Sequence, residues 1–175
     1  MMLGCRIPIT SVVWFPHGAT PARIKAAEAA AAVAQGASEI DMVVCLGPIA
    51  EGDLDAVRHD VATVREAVPG VLLKVIVESA LWTPPVLRDV CEAAIDAGGD
   101  MVKTSTGFHP AGGATTEAVS TMRAAVGTRA GVKASGGLRT LEACLAALAA
   151  GADRLGLSAT RSVLDELGPE RRLSR

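Results

Sequence analysis

Residues 71–103 read VLLKVIVESALWTPPVLRDVCEAAIDAGGDMVK, and this stretch decides the fold. It opens on a β-branched run, Val71–Glu78. It passes through Thr83 into a helical pattern over Pro84–Ala97, and after Gly98 it enters a second β-branched run, Asp100–Thr104. Thr83 suits an N-cap with Pro84 at the first helical position, and Gly98 suits the residue just past a helix end. Strand, helix, strand within about 30 residues is one βαβ unit, and its two strands must run parallel.

The unit recurs on both sides. Further strands are predicted at Ser11–Phe15, Glu39–Cys45, Gly131–Ala134 and Arg154–Leu157. Further helices are predicted at Pro21–Gln35, Asp53–Val68, Thr116–Val126 and Leu141–Ala150, with a short one at Ala159–Leu167. Thr20 before Pro21 repeats the cap signal, and Gly36 and Gly151 repeat the stop signal. The strand centres Val12, Met42, Val75, Val102, Val132 and Leu155 lie 30, 33, 27, 30 and 23 residues apart, the step of one β/α unit. The predicted fold is therefore α/β, a TIM (β/α)8-type barrel represented by six of its eight units, as a single domain over residues 1–175. A full barrel takes about 250 residues. The open sheet leaves two unpaired edges, so low solubility and self-association as a homo-oligomer are expected.

Composition narrows the function. The chain has 175 residues, 50% apolar and 21% charged, with 17 Lys and Arg against 19 Asp and Glu. That balance is core-forming, and a net charge of −2 excludes a strongly basic nucleic-acid footprint. Aromatic content of 2%, with no Tyr, excludes a base-stacking platform. No uncharged apolar run reaches the roughly 18 residues of a membrane span, and Met1–Thr10 does not read as a signal peptide. Cys5, Cys45, Cys91 and Cys144 are spaced 40, 46 and 53 residues apart, which fits neither a zinc site nor a redox pair. Four free thiols and a cytoplasmic, reducing location are expected.

Strand alternation then isolates a charged set. Lys74, Ile76 and Glu78 share a face; Lys103 shares one with Met101; Lys133 opposes Val132 and Ala134; Asp41 lies with Glu39, Val43 and Cys45. In a barrel the helix-facing side must be apolar, so the Lys and Asp faces are interior. For Lys74 the bland reading is an ion pair with Glu78 or Asp41. Lys103 and Lys133 sit toward the strand C-termini, where barrel active sites are built. Two neighbouring ammonium groups disfavour the second charge, and a neutral amine is what a Schiff-base nucleophile requires. Thr104–Gly107, Ser135–Gly137 and Gly156–Ala159 follow these strands as Gly- and Ser-bearing loops. Each glycine taken singly is turn chemistry, but three adjacent loops of backbone N–H donors suggest a phosphate cradle.

These residues resemble the deoxyribose-phosphate aldolases. The match runs through E-I-D-M-V (residues 39–43), K-V-I-V-E (74–78), V-K-T-S-T-G-F (102–108), V-K-A-S-G-G-L-R-T (132–140) and G-A-D-R (151–154). The segment V-W-F-P-H-G (13–18) resembles the family's G-F-P-x-G motif, with Trp14 where Gly is usual. The resemblance covers nearly the whole chain. It implies that Lys103 forms the Schiff base, that Lys133 lowers the nucleophile's pKa and shares its proton-transfer network, and that Asp41 moves protons within that network. Lys74 stands as a secondary candidate. The resemblance places the phosphate or substrate at Thr106, Gly107, Gly136, Gly137 and Ser158. It implies no metal and no cofactor, and a phosphorylated sugar as the small-molecule partner. The implied reaction is reversible cleavage of 2-deoxy-D-ribose 5-phosphate to D-glyceraldehyde 3-phosphate and acetaldehyde.

Three departures stand out: Cys45 where Asn is common, Ala159 in place of the second of two serines, and a match that begins only at the family's third strand. A first-strand aspartate and a second-strand cysteine are thereby missing from the site. The competing readings are a catalytically impaired remnant that retains phosphate binding or assembles with other chains, and a phosphate-handling barrel lyase or isomerase without a Schiff base. Lys103 beside Lys133 argues against the last.

Overall fold

A computed structural model describes residues 7–167; Cys5 lies outside them. Six strands form one sheet: β1 (Thr10–Val13), β2 (Glu39–Val43), β3 (Leu72–Ile76), β4 (Met101–Lys103), β5 (Gly131–Ser135) and β6 (Arg154–Gly156). They lie in sequence order with every neighbouring pair parallel. The helices are α1 (Ala22–Ala34), α2 (Leu46–Glu51), α3 (Leu54–Ala67), α4 (Pro84–Asp96), α5 (Thr116–Val126), α6 (Leu141–Ala149) and α7 (Thr160–Glu166). The result is an incomplete barrel of six β/α units, and every expected strand and helix is present.

The differences are local. α2 occupies a stretch with no expected element, since six residues with Pro48 inside them are too short to show helical periodicity. β3 ends at Ile76, short of the predicted Val71–Glu78 run, because Glu78 caps a 3-10 turn at Ser79–Leu81. Thr83 caps α4 by position but makes no side-chain cap bond, and α1 begins one residue late, with Pro21 rather than Thr20 at its cap. Gly36, Gly98 and Gly151 all take positive φ past their helices, as stop glycines should.

The two faces of the sheet separate as alternation requires. Ile40, Met42, Leu73, Val75, Val102, Val132 and Ala134 are fully buried and join the helices in one core with Val57, Val61, Val64, Val90, Val119 and Met122. Each such Val or Leu contributes about 1.5–3 kcal/mol relative to exposure. The opposite face carries Glu39, Asp41, Lys74, Lys103, Lys133 and Arg154. The sheet curls far enough for Arg154 Nη1 on β6 to reach Glu39 Oε2 on β2 at 2.6 Å.

A repeated bolt ties successive units. Arg65, near the end of α3, donates to the carbonyls of Val68 and Val71 and pairs with Asp100 at 2.9 Å; Asp100 in turn accepts the Leu73 N–H. Arg123, near the end of α5, repeats this with the carbonyls of Gly127, Ala130 and Gly151 and with Asp153, which accepts the Val132 N–H. In both places one guanidinium satisfies the carbonyls around a helix end and fixes the start of a strand.

Among the described residues Cys45, Cys91 and Cys144 are free thiols. Burial, then the charge of Glu92, pushes the Cys91 thiol up to about 12. Burial, then Glu166, raises Cys144. Both therefore behave as small core hydrophobes.

Candidate active site

Parallel register brings the charged residues together. Asp41 on β2 is the partner of Lys74 on β3, and Lys103 on β4 is the partner of Lys133 on β5. Register partners in a parallel sheet point to the same face, so the two lysines stand side by side over the interior. Asp41 lies beneath them. Its Oδ2 accepts from Lys103 Nζ at 2.8 Å and Lys133 Nζ at 2.7 Å, while Oδ1 accepts from Lys74 Nζ at 2.8 Å.

This one carboxylate holds three ammonium groups, and its own acidity follows. Burial alone would raise the Asp41 carboxyl; the charges and hydrogen bonds of Lys103 and Lys133 overcome that and hold it near 2. Glu39 is likewise held near 2, burial opposing but Lys74, Arg154 and Thr10 prevailing. Lys133 is pushed below the ordinary lysine value, first by burial and then by the charges of Lys103 and Lys74, against the pull of Asp41.

Lys103 and Lys133 open onto a cavity of about 420 Å³. Thr106, Gly107, Gly136, Gly137 and Ser158 all line it. The structure thus gathers the two lysines and all five substrate-binding candidates around one space, with Asp41 supporting the lysines from below. Lys74 is different. It is fully buried, bonded to Asp41 and to Glu39 at 2.7 Å, and does not line the cavity. Of its two expected partners, Asp41 is found and Glu78 is not. Glu78 instead accepts from Thr106 N at 3.1 Å and Thr106 Oγ1 at 2.8 Å, and so orients that side chain.

The hydroxyls of the Thr104-Ser105-Thr106 run divide their work. Thr104 Oγ1 donates to the Ser135 carbonyl and accepts the Ser135 N–H, both at 2.9 Å. Ser135 Oγ donates to the Ser105 carbonyl at 2.6 Å. These bonds lock the β4 loop to the β5 loop, while Thr106 lines the cavity with its hydroxyl donating to Glu78 and accepting the Phe108 N–H at 3.2 Å.

Two residues without a sequence-based role also build the site. Arg139, exposed at the cavity rim, adds a cation to a cradle expected to rest on backbone donors alone. Its signal lay within the quoted V-K-A-S-G-G-L-R-T run. Gly113 lies against Gly136, where any Cβ would overlap the Gly136 carbonyl, and the Ala114 N–H donates to that carbonyl at 3.0 Å. Gly136 is itself at φ +88, with Ser105 Oγ where its own Cβ would stand. No sequence period marks Gly113, because it serves a contact between two loops.

The departures find simple accommodation. Trp14 sits at φ +47, a conformation that favours glycine, and its N–H donates to Glu28 at 2.7 Å. Cys45 is used through its backbone, its N–H donating to Asp60 at 2.9 Å. Ala159 is the N-cap of α7 and does not line the cavity.

The site is an interior lysine pair sharing one carboxylate at the C-terminal mouth of a parallel barrel sheet, the end at which enzymes of this fold carry their active sites. Residues 7–166 match the family model described as DeoC/LacD family aldolase. The deoxyribose-phosphate aldolase of Mycolicibacterium paratuberculosis is 59% identical over 169 residues, covering 94% of this chain and 76% of that protein. That of Kocuria rhizophila is 57% identical over 162 residues, covering 92% and 74%. Among solved structures, the aldolase QR15 superposes with a TM-score of 0.90 at 35% identity, over 98% of this chain and 78% of that one. The tetrameric deoxyribose phosphate aldolase of Aeropyrum pernix gives 0.84 at 34% identity, over 94% and 69%. The chain belongs to the DeoC/LacD aldolase family and spans about three quarters of the length of these curated relatives.

Proposed function

We propose that the chain, acting as one barrel-type domain, is a carbon–carbon lyase: a deoxyribose-phosphate aldolase that reversibly cleaves 2-deoxy-D-ribose 5-phosphate to D-glyceraldehyde 3-phosphate and acetaldehyde. It serves deoxyribose phosphate breakdown. The observation that carries this is the pair Lys103 and Lys133 on one oxygen of Asp41, open to a glycine-lined cavity. The relatives named deoxyribose-phosphate aldolase support the substrate class.

The chemistry follows from the groups present. Lys103, as the free amine, adds to the aldehyde carbon of the open-chain sugar to give a carbinolamine, which loses water to form a protonated imine. Lys133 and Asp41 Oδ2, which accepts from both lysines, form the network through which protons move to and from the carbinolamine. Removal of the sugar's 3-hydroxyl proton breaks the C2–C3 bond. The C3 fragment leaves as glyceraldehyde 3-phosphate, and the bonding pair moves into the imine to form an enamine. Protonation at C2 and hydrolysis release acetaldehyde and restore the lysine. Thr106, Gly107, Gly136, Gly137 and Ser158, with Arg139 at the rim, hold the 5-phosphate.

The test is to supply 2-deoxy-D-ribose 5-phosphate and follow acetaldehyde by its reduction with alcohol dehydrogenase and NADH. Release that vanishes in Lys103→Ala and is much weaker with unphosphorylated deoxyribose is expected. A folded chain that releases no acetaldehyde would contradict it. A second reading rests on the β1 and β6 edges, each paired on one side only among the described residues: a chain that binds the phosphate but turns over only when another polypeptide joins it. Phosphate binding without cleavage by the isolated chain would favour that reading.

A further inference from the structure

The charged face holds more ionic groups than the proposed chemistry uses. Lys74 Nζ, fully buried on β3, bridges Asp41 Oδ1 at 2.8 Å and Glu39 Oε2 at 2.7 Å, both on β2. Glu39 Oε2 also takes Arg154 Nη1 from β6 at 2.6 Å and Thr10 Oγ1 from β1 at 2.9 Å. On β4 the register partner of Lys74 is the uncharged Met101. Lys103 of β4 and Lys133 of β5 meet the other oxygen of Asp41. Glu78, beyond the end of β3, is engaged by Thr106. Two carboxylates therefore serve four cations, and the chain Arg154–Glu39–Lys74–Asp41 runs from the last strand to the lysine pair.

Resting on the aldolase reading, we propose that Lys74 is a positioning residue: by holding Asp41 Oδ1 and adding its own charge, it turns Oδ2 to the lysine pair and sets the pH at which the imine forms. The geometry gives two parts to this role. Without the bond to Oδ1 the Asp41 carboxylate is free to rotate, and one oxygen no longer has to serve both lysines. Without the Lys74 charge, protonated amines nearby are less disfavoured, so a higher pH is needed to expose a free amine. The depressed Lys133 is consistent with this, since Lys74 is among the charges lowering it. Glu39 acts with the opposite sign: it offsets cationic charge, and its loss disfavours protonated lysines further.

The experiment traps the acetaldehyde imine with cyanoborohydride and reads adduct mass across the neutral-to-alkaline range. Lys74→Met is expected to move the trapping midpoint up by about one pH unit. Lys74→Arg, which keeps the charge, should return it toward the parent value, and Glu39→Gln should move it down. A Lys74→Met chain with lower adduct yield but an unchanged midpoint would overturn the proposal, because a merely structural role predicts that result. If Lys74→Met does not fold, Glu39→Gln decides: a downward shift supports the proposal and an unmoved midpoint overturns it. A parent chain that traps no imine at any pH would instead overturn the aldolase reading itself, and this inference with it.

Discussion

At Asp41, the ordinary carboxyl value of 3.8 falls to about 2 because two ammonium groups outweigh the burial that would raise it. The folded state then holds its carboxylate more tightly than the unfolded chain does. The stabilisation is present in full above the unfolded value and is lost as pH falls toward 2, a difference of about 2 kcal/mol. Glu39 adds to it in the same direction. The urea midpoint should therefore hold steady above about pH 4 and drop steeply below it; a midpoint indifferent to pH through that range would contradict the ion-paired site. Cys45 allows a separate test. It is the N-cap of α2 and makes no side-chain cap bond. Cys45→Asn supplies a capping oxygen and should raise stability by about 0.5–1 kcal/mol in thermal melts. A loss of that size would mean the thiol packs better than its position indicates.

Between elements, the contacts that hold the cradle are loop against loop. Gly113→Val would drive Gly136 away from the cavity while leaving the lysines in place. The expected result is a KM for 2-deoxy-D-ribose 5-phosphate at least about tenfold higher, with kcat/KM for unphosphorylated deoxyribose little changed. An equal loss on both sugars would show that Gly113 supports the whole site rather than the phosphate end. The Arg65 bolt makes a structural prediction: Arg65→Ala strips two helix-end carbonyls and Asp100 of their partner and should cost about 1–2 kcal/mol, read as a lower urea midpoint. What was legible in the sequence follows period and motif. Lys103, Lys133 and Asp41 stand out because charge on an otherwise apolar strand must face inward. Gly113, Arg139 and the Arg65 and Arg123 bolts leave no period, since each serves a partner some 20 or more residues away or a loop with no repeat. Lys74 and Glu78 lie together on the 71–78 run, but the turn at Ser79–Leu81, entered with Glu78 at φ +53, takes Glu78 to Thr106 instead.

For the whole molecule, the open sheet governs behaviour. β1 and β6 each pair on one side only among the described residues. Ile7 and Ile9 beside β1 are 75% and 63% exposed, and Leu145 and Leu148 on α6 are 48% and 42% exposed. Unpaired parallel edges flanked by apolar side chains template association. The 175-residue chain is therefore expected to sediment as oligomers at micromolar concentration, and a monodisperse monomer would contradict that expectation. Asp41, Lys103 and Lys133 all come from one chain, and the curl that brings Arg154 to Glu39 closes the charged face around them. Whether Lys103 is the nucleophile is read directly by peptide mapping with mass spectrometry after borohydride reduction in the presence of acetaldehyde. A single ethyl adduct is expected on Lys103, abolished in Lys103→Ala. An adduct on Lys133 or Lys74, or none on a folded chain, would contradict it.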